Sequence, residues 1–168
     1  MKGRTMQPLS ADQVRACFVN SSRSKVASMT LPAPWPPDRL DERDYLGWVD
    51  AKAPQRAYVV LGEDISDEPV GIELRVGTSV GPARTTLCDW CRTDDGTSTA
   101  RLLVARRAGP RGRAGDTVGQ YVCGDLACWK RVRRPLKPHE KSVTGAPDLR
   151  VDDLRSRVLE FVERVRAA

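Results

Sequence analysis

The sequence predicts an α+β chain in which a small antiparallel sheet and several helices surround a four-cysteine metal unit. Short β-rich runs read as strands, above all Val70, Ile72, Leu74 and Val76, which alternate with Gly71, Glu73 and Arg75. Two segments, one opening at Ser10 and one running from Val151 to Val165, repeat apolar residues at helical spacing. Four of the five cysteines fall into two close pairs, Cys88-Asp-Trp-Cys91 and Cys123-Gly-Asp-Leu-Ala-Cys128. Paired turns of this kind bring four thiolates around one tetrahedral Zn²⁺.

At 168 residues the chain is long enough for one domain with its own modest core. A charged fraction of 30% beside 40% hydrophobic residues marks it as globular, and 12 prolines with 13 glycines imply long irregular connections. The basic start Met1-Lys-Gly-Arg-Thr-Met-Gln-Pro8 is followed by no apolar run, and no stretch of about 18 apolar residues occurs, so neither a secretory signal nor a membrane span is expected. A cytoplasmic protein follows. In that reducing compartment paired cysteines are metal ligands more often than disulfides.

The first element is a helix. Ser10-Ala-Asp-Gln13 forms a capping box, Leu9 and Val14 occupy the staple positions, and Val14, Cys17 and Phe18 share one face. Cys17 thus reads as a small buried hydrophobe. Residues 20–37 turn polar and then proline-dense, so they are expected to run extended over the surface with Trp35 packed among prolines. A short helix is expected over Asp38–Trp48, ended by Gly47 and the Asp50–Pro54 turn. Strands Ala57–Leu61 and Val70–Val76 then form a hairpin across the acidic loop Glu63–Pro69.

After Cys91 come a turn at Thr93–Ser98, a strand at Ala100–Ala105, a mobile basic loop from Arg106 to Gly115, and a returning strand at Thr117–Val122. Asp125 is placed to cap a helix running to about Arg134, with Cys128 in its first turn, where the helix dipole favours thiolates. Knuckle, hairpin and ligand-bearing helix together make a treble clef. Val151, Leu154, Val158, Phe161, Val162 and Val165 give the C-terminal helix one apolar face, with Asp152 and Asp153 at its start and Arg164 and Arg166 at its end. The expected organisation is a domain over 1–147 and an amphipathic helix over 148–168 packed on it. Within the domain, 8–80 form a helix and β-hairpin core, 84–134 the metal unit and 135–147 a linker.

Charge is unevenly spread. Arg84–Arg134 holds 11 Lys or Arg against 5 Asp or Glu, a net +6, while the remainder balances at 17 (28 − 11) against 17 (22 − 5). Four thiolates with Zn²⁺ contribute −2, so the metal-bound window stays near +4 and offers a binding surface.

Four cysteines close the zinc shell and leave no position for water or substrate, which makes the metal structural. No nucleophile, base and oxyanion donor can be assembled, so no enzyme and no small-molecule substrate are expected. His139, the one histidine, lies in a proline-flanked linker, and the glycine–arginine loop lacks the Lys-Ser or Lys-Thr ending of a phosphate loop. Recognition remains. Its candidate residues are Arg106, Arg107, Arg111 and Arg113 on the hairpin, and Trp129, Lys130, Arg131, Arg133 and Arg134 on the zinc-supported helix. Trp90 and Trp129 flank the metal, where indoles most often shield sulfur.

Several runs occur in an order that resembles one family: Phe18-Val-Asn-Ser-Ser22, Tyr45-Leu-Gly-Trp-Val-Asp50, Lys52-Ala-Pro54, Arg56-Ala-Tyr58, Val70-Gly-Ile-Glu-Leu-Arg75, Cys88-Asp-Trp-Cys91, Gly119-Gln-Tyr-Val-Cys123 and Leu126-Ala-Cys128. Together they look like the FBP domain, the C-terminal treble-clef zinc domain of elongation factor G-binding proteins, a family that includes fusidic-acid resistance proteins. The resemblance spans about residues 8–166. It implies Zn²⁺ on Cys88, Cys91, Cys123 and Cys128, and elongation factor G as partner. A ribosome- or RNA-binding zinc finger using the same basic surface is the alternative, distinguished by steep salt dependence.

Overall fold

The computed structural model describes residues 6–78, 86–93 and 99–167. One antiparallel sheet of five strands forms its centre, in the order β1 (Leu46–Val49), β2 (Arg56–Leu61), β3 (Val70–Val76), β4 (Ala100–Arg106) and β5 (Thr117–Cys123). The two expected hairpins are therefore joined. Among the described residues their junction is short, Arg75 opposite Val104 and Val76 opposite Leu103, with one more bond from the Gly77 amide to the Leu102 carbonyl. Where β3 and β4 part, Asn20 fills the gap: its Nδ2 donates to the carbonyls of Glu73 and Arg106, and its Oδ1 accepts from the Glu73 amide. One carboxamide thus satisfies backbone groups that a longer ladder would have paired.

Both faces of the sheet are covered. Val59, Leu61, Ile72, Leu74 and Leu103 point to the face shared with the cysteines and the C-terminal helix. Tyr58 and Val60 point to the other, under Met6, Leu9, Val14, Val26 and Met29. Because β2 is buried on both sides, its sequence is a continuous apolar run rather than an alternation.

Helix α1 (Ala11–Ala16) has the expected capping box, with Ser10 Oγ accepting from the Gln13 amide and Gln13 Oε1 from the Ser10 amide. It stops before Phe18, which leaves the helical face to form a bridge with Gly71 of β3. Two further expectations fail in this half. Arg23–Ala27 form a short helix, α2, capped by Ser22, inside the stretch expected to be extended. Asp38–Trp48 is not a helix: Leu40–Glu42 make a single 3₁₀ turn and Leu46–Val49 are strand β1. The β-favouring Trp48 and Leu46 find partners opposite in Tyr58 and Val60, and this cross-strand packing outweighs local helical spacing. Gly47 serves close approach, since a Cβ there would sit 2.8 Å from the Tyr45 ring and 3.0 Å from Leu126 Cβ.

The basic hairpin tip, expected as a loop, carries regular structure. Gly109–Arg113 form a helical turn, α3, and the carbonyl of Arg107 lies 1.7 Å from where a Cβ on Gly112 would be, so only glycine fits. The tip caps the C-terminal helix, α5 (Arg150–Arg166): the Ala108 amide donates to the Val165 carbonyl at 2.8 Å, and Arg107 Nη1 to the Arg164 carbonyl. These are among the last carbonyls of a helix, which lack partners within it. α5 buries Leu154, Val158, Phe161, Val162 and Val165 in the same core as the cysteines, with its acidic start and basic end matched to the dipole.

Candidate metal centre and adjoining surfaces

Cys88 and Cys91 lie on the turn before β4, Cys123 ends β5, and Cys128 opens α4 (Cys128–Arg131). All four are buried, and their sulfurs lie within 4.8 Å of one another. Cys88–Cys128 and Cys91–Cys123 are each 3.6 Å apart, too far for disulfides. Four sulfurs about 2.3 Å from one tetrahedral Zn²⁺ lie about 3.8 Å from each other, so the donor set fits that ion. The Cys123 amide donates to Cys88 Sγ at 3.4 Å, and Thr93 Oγ1 lies 3.1 Å from Cys91 Sγ. Arg92 and Leu126, beside the ligands, hold φ of 55°, a left-handed conformation that the metal turns maintain. Hydrogen bonds from Cys123 and Cys128 hold the Cys91 thiol far below its usual range, whereas Cys128, hydrogen-bonded to its three neighbours and desolvated, is pushed far up. The cluster cannot carry four negative charges without a cation.

Helix α4 departs from expectation. It is one turn long and ends near Arg131 rather than Arg134, with Ala127 at its cap position. Asp125 instead accepts from the Ala127 amide and receives both Arg131 guanidinium nitrogens at 2.8 Å. Burial raises the Asp125 carboxyl, but the Arg131 pair and the backbone amides, Ala127 among them, together outweigh it and hold the group below its usual value.

Trp90 is fully buried and packs edge-on against Tyr45 (5.6 Å) and Phe161 (5.8 Å). Its Nε1 donates to Gln120 at 2.7 Å, and its carbonyl accepts from Arg157 of α5 at 3.0 Å. Tyr45 donates to the Leu126 carbonyl, and burial, followed by the nearby Cys128, pushes its phenol well above the usual range. These contacts tie the knuckle, the sheet and α5 into one core.

A match covers residues 13–165 with the family described as FBP C-terminal treble-clef zinc-finger. The chain belongs to this family. Its four-cysteine cluster is the zinc centre of an FBP domain, with its ligands on the knuckle, at the end of β5 and at the start of α4. No curated protein and no solved structure matches the chain. No helix among the described residues is long and apolar enough to cross a membrane.

The nine recognition candidates divide sharply in this FBP domain. Arg131 is buried against Asp125, Arg133 bonds Asp44 at 2.6 and 3.0 Å, and Arg134 bonds Glu140 at 2.8 and 2.7 Å. Arg107 and Arg111 both pair with Asp116. Each of these side chains is already engaged in an ion pair within the chain. Trp129 and Lys130 line a cleft of about 300 Å³ with Trp35, Trp48 and Arg43. Trp129 is largely covered, with Arg43, Lys130 and Arg39 over its ring at 4.5, 5.2 and 5.5 Å. Arg106 and Arg113 line a different, larger cleft.

Sequence reading missed Asp44, fully buried between Arg133 and Arg155. Nothing local marks it, because its partners lie 89 and 111 residues away. Arg43 was likewise hidden inside the expected helix. Arg75 could have been found as an outward position of the alternating β3 pattern.

Proposed function

We propose that this chain is a non-enzymatic, zinc-stabilised adaptor of the cytoplasm that binds elongation factor G and acts on its interaction with the ribosome. The observation that carries the reading is family membership across residues 13–165 together with a four-thiolate centre. Such a shell leaves the metal no open position for catalysis. Its work is to hold a surface.

The surface best suited to a protein partner is the cleft beside α4. Trp35 and Trp48 form its apolar wall, and Arg43 and Lys130 stand at the face of Trp129. Tryptophan and arginine are the residues that most often anchor protein interfaces. Purified elongation factor G, treated with nuclease and mixed with the chain over a range of salt, is expected to form a one-to-one complex. Lys130→Glu with Arg43→Glu is expected to weaken it at least about tenfold, since reversed charges in an interface are costly. A complex that disappears with nuclease refutes the adaptor reading.

A further inference from the structure

The largest cleft among those described, about 570 Å³, lies away from the zinc centre. It opens where β3 and β4 separate, between the Val19–Ser22 segment, α2 and α3. Five cations line it, Lys25, Arg75, Arg106, Arg107 and Arg113, against one carboxylate, Glu73, a net +4. Glu73 is already engaged by Ser21 and Arg56. Arg107 is likewise held, by Asp116 and the end of α5. Lys25, Arg75, Arg106 and Arg113 are exposed, and their side chains make no ion pair or hydrogen bond within the described chain.

Like charges gather in one concavity only at a cost, and an anion removes that cost. Three of the four free cations are arginines, whose planar fork matches phosphate oxygens, and the Ser22 and Thr117 side chains add hydroxyl donors beside them. The apolar part of the wall comes from Val19, Leu74 and Val104, and no aromatic ring is among the described residues that line the cleft. Protein interfaces of high affinity most often centre on a buried aromatic beside their arginines, and single-strand base recognition rests on a stacking platform. Neither is here. Repeated phosphates need only the cations.

We propose that this cleft binds the sugar–phosphate backbone of single-stranded nucleic acid without reading its bases. Among the described residues the site shares no lining residue with the Trp129–Lys130 cleft, so it is additional to docking of elongation factor G and stands or falls independently of it.

The test is fluorescence anisotropy of labelled 12-nucleotide oligouridine and oligoadenosine with the zinc-loaded full chain across a salt series. Three or four phosphate contacts give a log–log salt slope of about −2 to −3, similar for both sequences. Arg106→Glu with Arg113→Glu is expected to weaken binding at least about tenfold and to flatten the slope by about 1.4, the loss of two contacts. The same charge change outside the cleft, Arg101→Glu with Lys52→Glu, is expected to leave affinity within about threefold, as longer-range charge is screened. Zinc content and circular dichroism of both variants should match the parent. Three results overturn the proposal: no oligonucleotide binding by the folded parent, equal weakening by both variant pairs, or a poly-glutamate peptide that binds the cleft as tightly as the oligonucleotides.

Discussion

Replacing Asp44 with alanine should cost the fold about 3 kcal/mol. Its carboxylate is wholly buried and receives three charge-assisted hydrogen bonds, two from Arg133 just after α4 and one from Arg155 of α5. Removing one partner of a buried pair costs roughly 3–5 kcal/mol because the surviving charge is stranded. Here the two arginine side chains keep 27% and 21% of their exposure, so water partly reaches them and the lower end applies. In a domain of this size each kcal/mol moves the midpoint by about 2–4 °C, so Tm should fall by about 6–12 °C. Urea denaturation of the zinc-loaded protein, with the m-value unchanged, measures it. The loss should shrink by at least about 1 kcal/mol in an Arg133→Met background, where less charge is left unpaired. A loss below about 1 kcal/mol, or one identical in both backgrounds, refutes the idea that this triad joins the zinc unit to α5.

Cys88→Ser or Cys123→Ser should abolish stoichiometric zinc and unfold the second half, because metal binding in small zinc domains supplies roughly 10–16 kcal/mol. A strong chelator should reproduce this, and a variant with parental metal content and melting curve would contradict it. Trp90→Ala should destabilise by about 3–5 kcal/mol through the cavity between Tyr45 and Phe161, read by chemical denaturation. Asp50 should make stability sensitive to acid. Burial raises its carboxyl, but the amides of Thr30, Lys52 and Ala53 outweigh this and hold it below its usual value. Its contribution is therefore present above the unfolded-state pKa near 3.9 and lost as pH falls through the lower folded value. Asp50→Asn should flatten the denaturation midpoint below about pH 4; an unchanged acid limb would count against the carboxylate.

The metal centre was legible in the sequence because its signal is local: two short cysteine spacings that no other soluble role explains as well. Helix α5 was legible for a related reason, since its 17 residues repeat one apolar face over several turns. Strand β1 was not. Asp38–Asp44 and Gly47 carry local helix signals, while the packing that decides the matter comes from β2 across the sheet. The turn expected at Thr93–Ser98 falls, from residue 94 onward, outside the described residues. The basic residues show the limit most plainly. Sequence gives the charge of Arg131, Arg133 and Arg134 but not the distant acid, Asp44, that Arg133 pairs with, nor which arginines are left over.

The Asn20 clasp has an evolutionary consequence. By letting one side chain replace the missing rungs between β3 and β4, the chain obtains a cavity from an interruption in its sheet instead of from an added loop. Along β3 the two jobs then fall to alternate residues: Leu74 and Val76 are buried and hold the fold, Leu74 giving the opening only apolar wall, while Arg75 between them is exposed and gives it charge. Substitution at Arg75, Arg106 or Arg113 can therefore alter what the opening accepts while leaving the apolar core intact, so relatives sharing this scaffold are free to diverge in ligand without first losing stability.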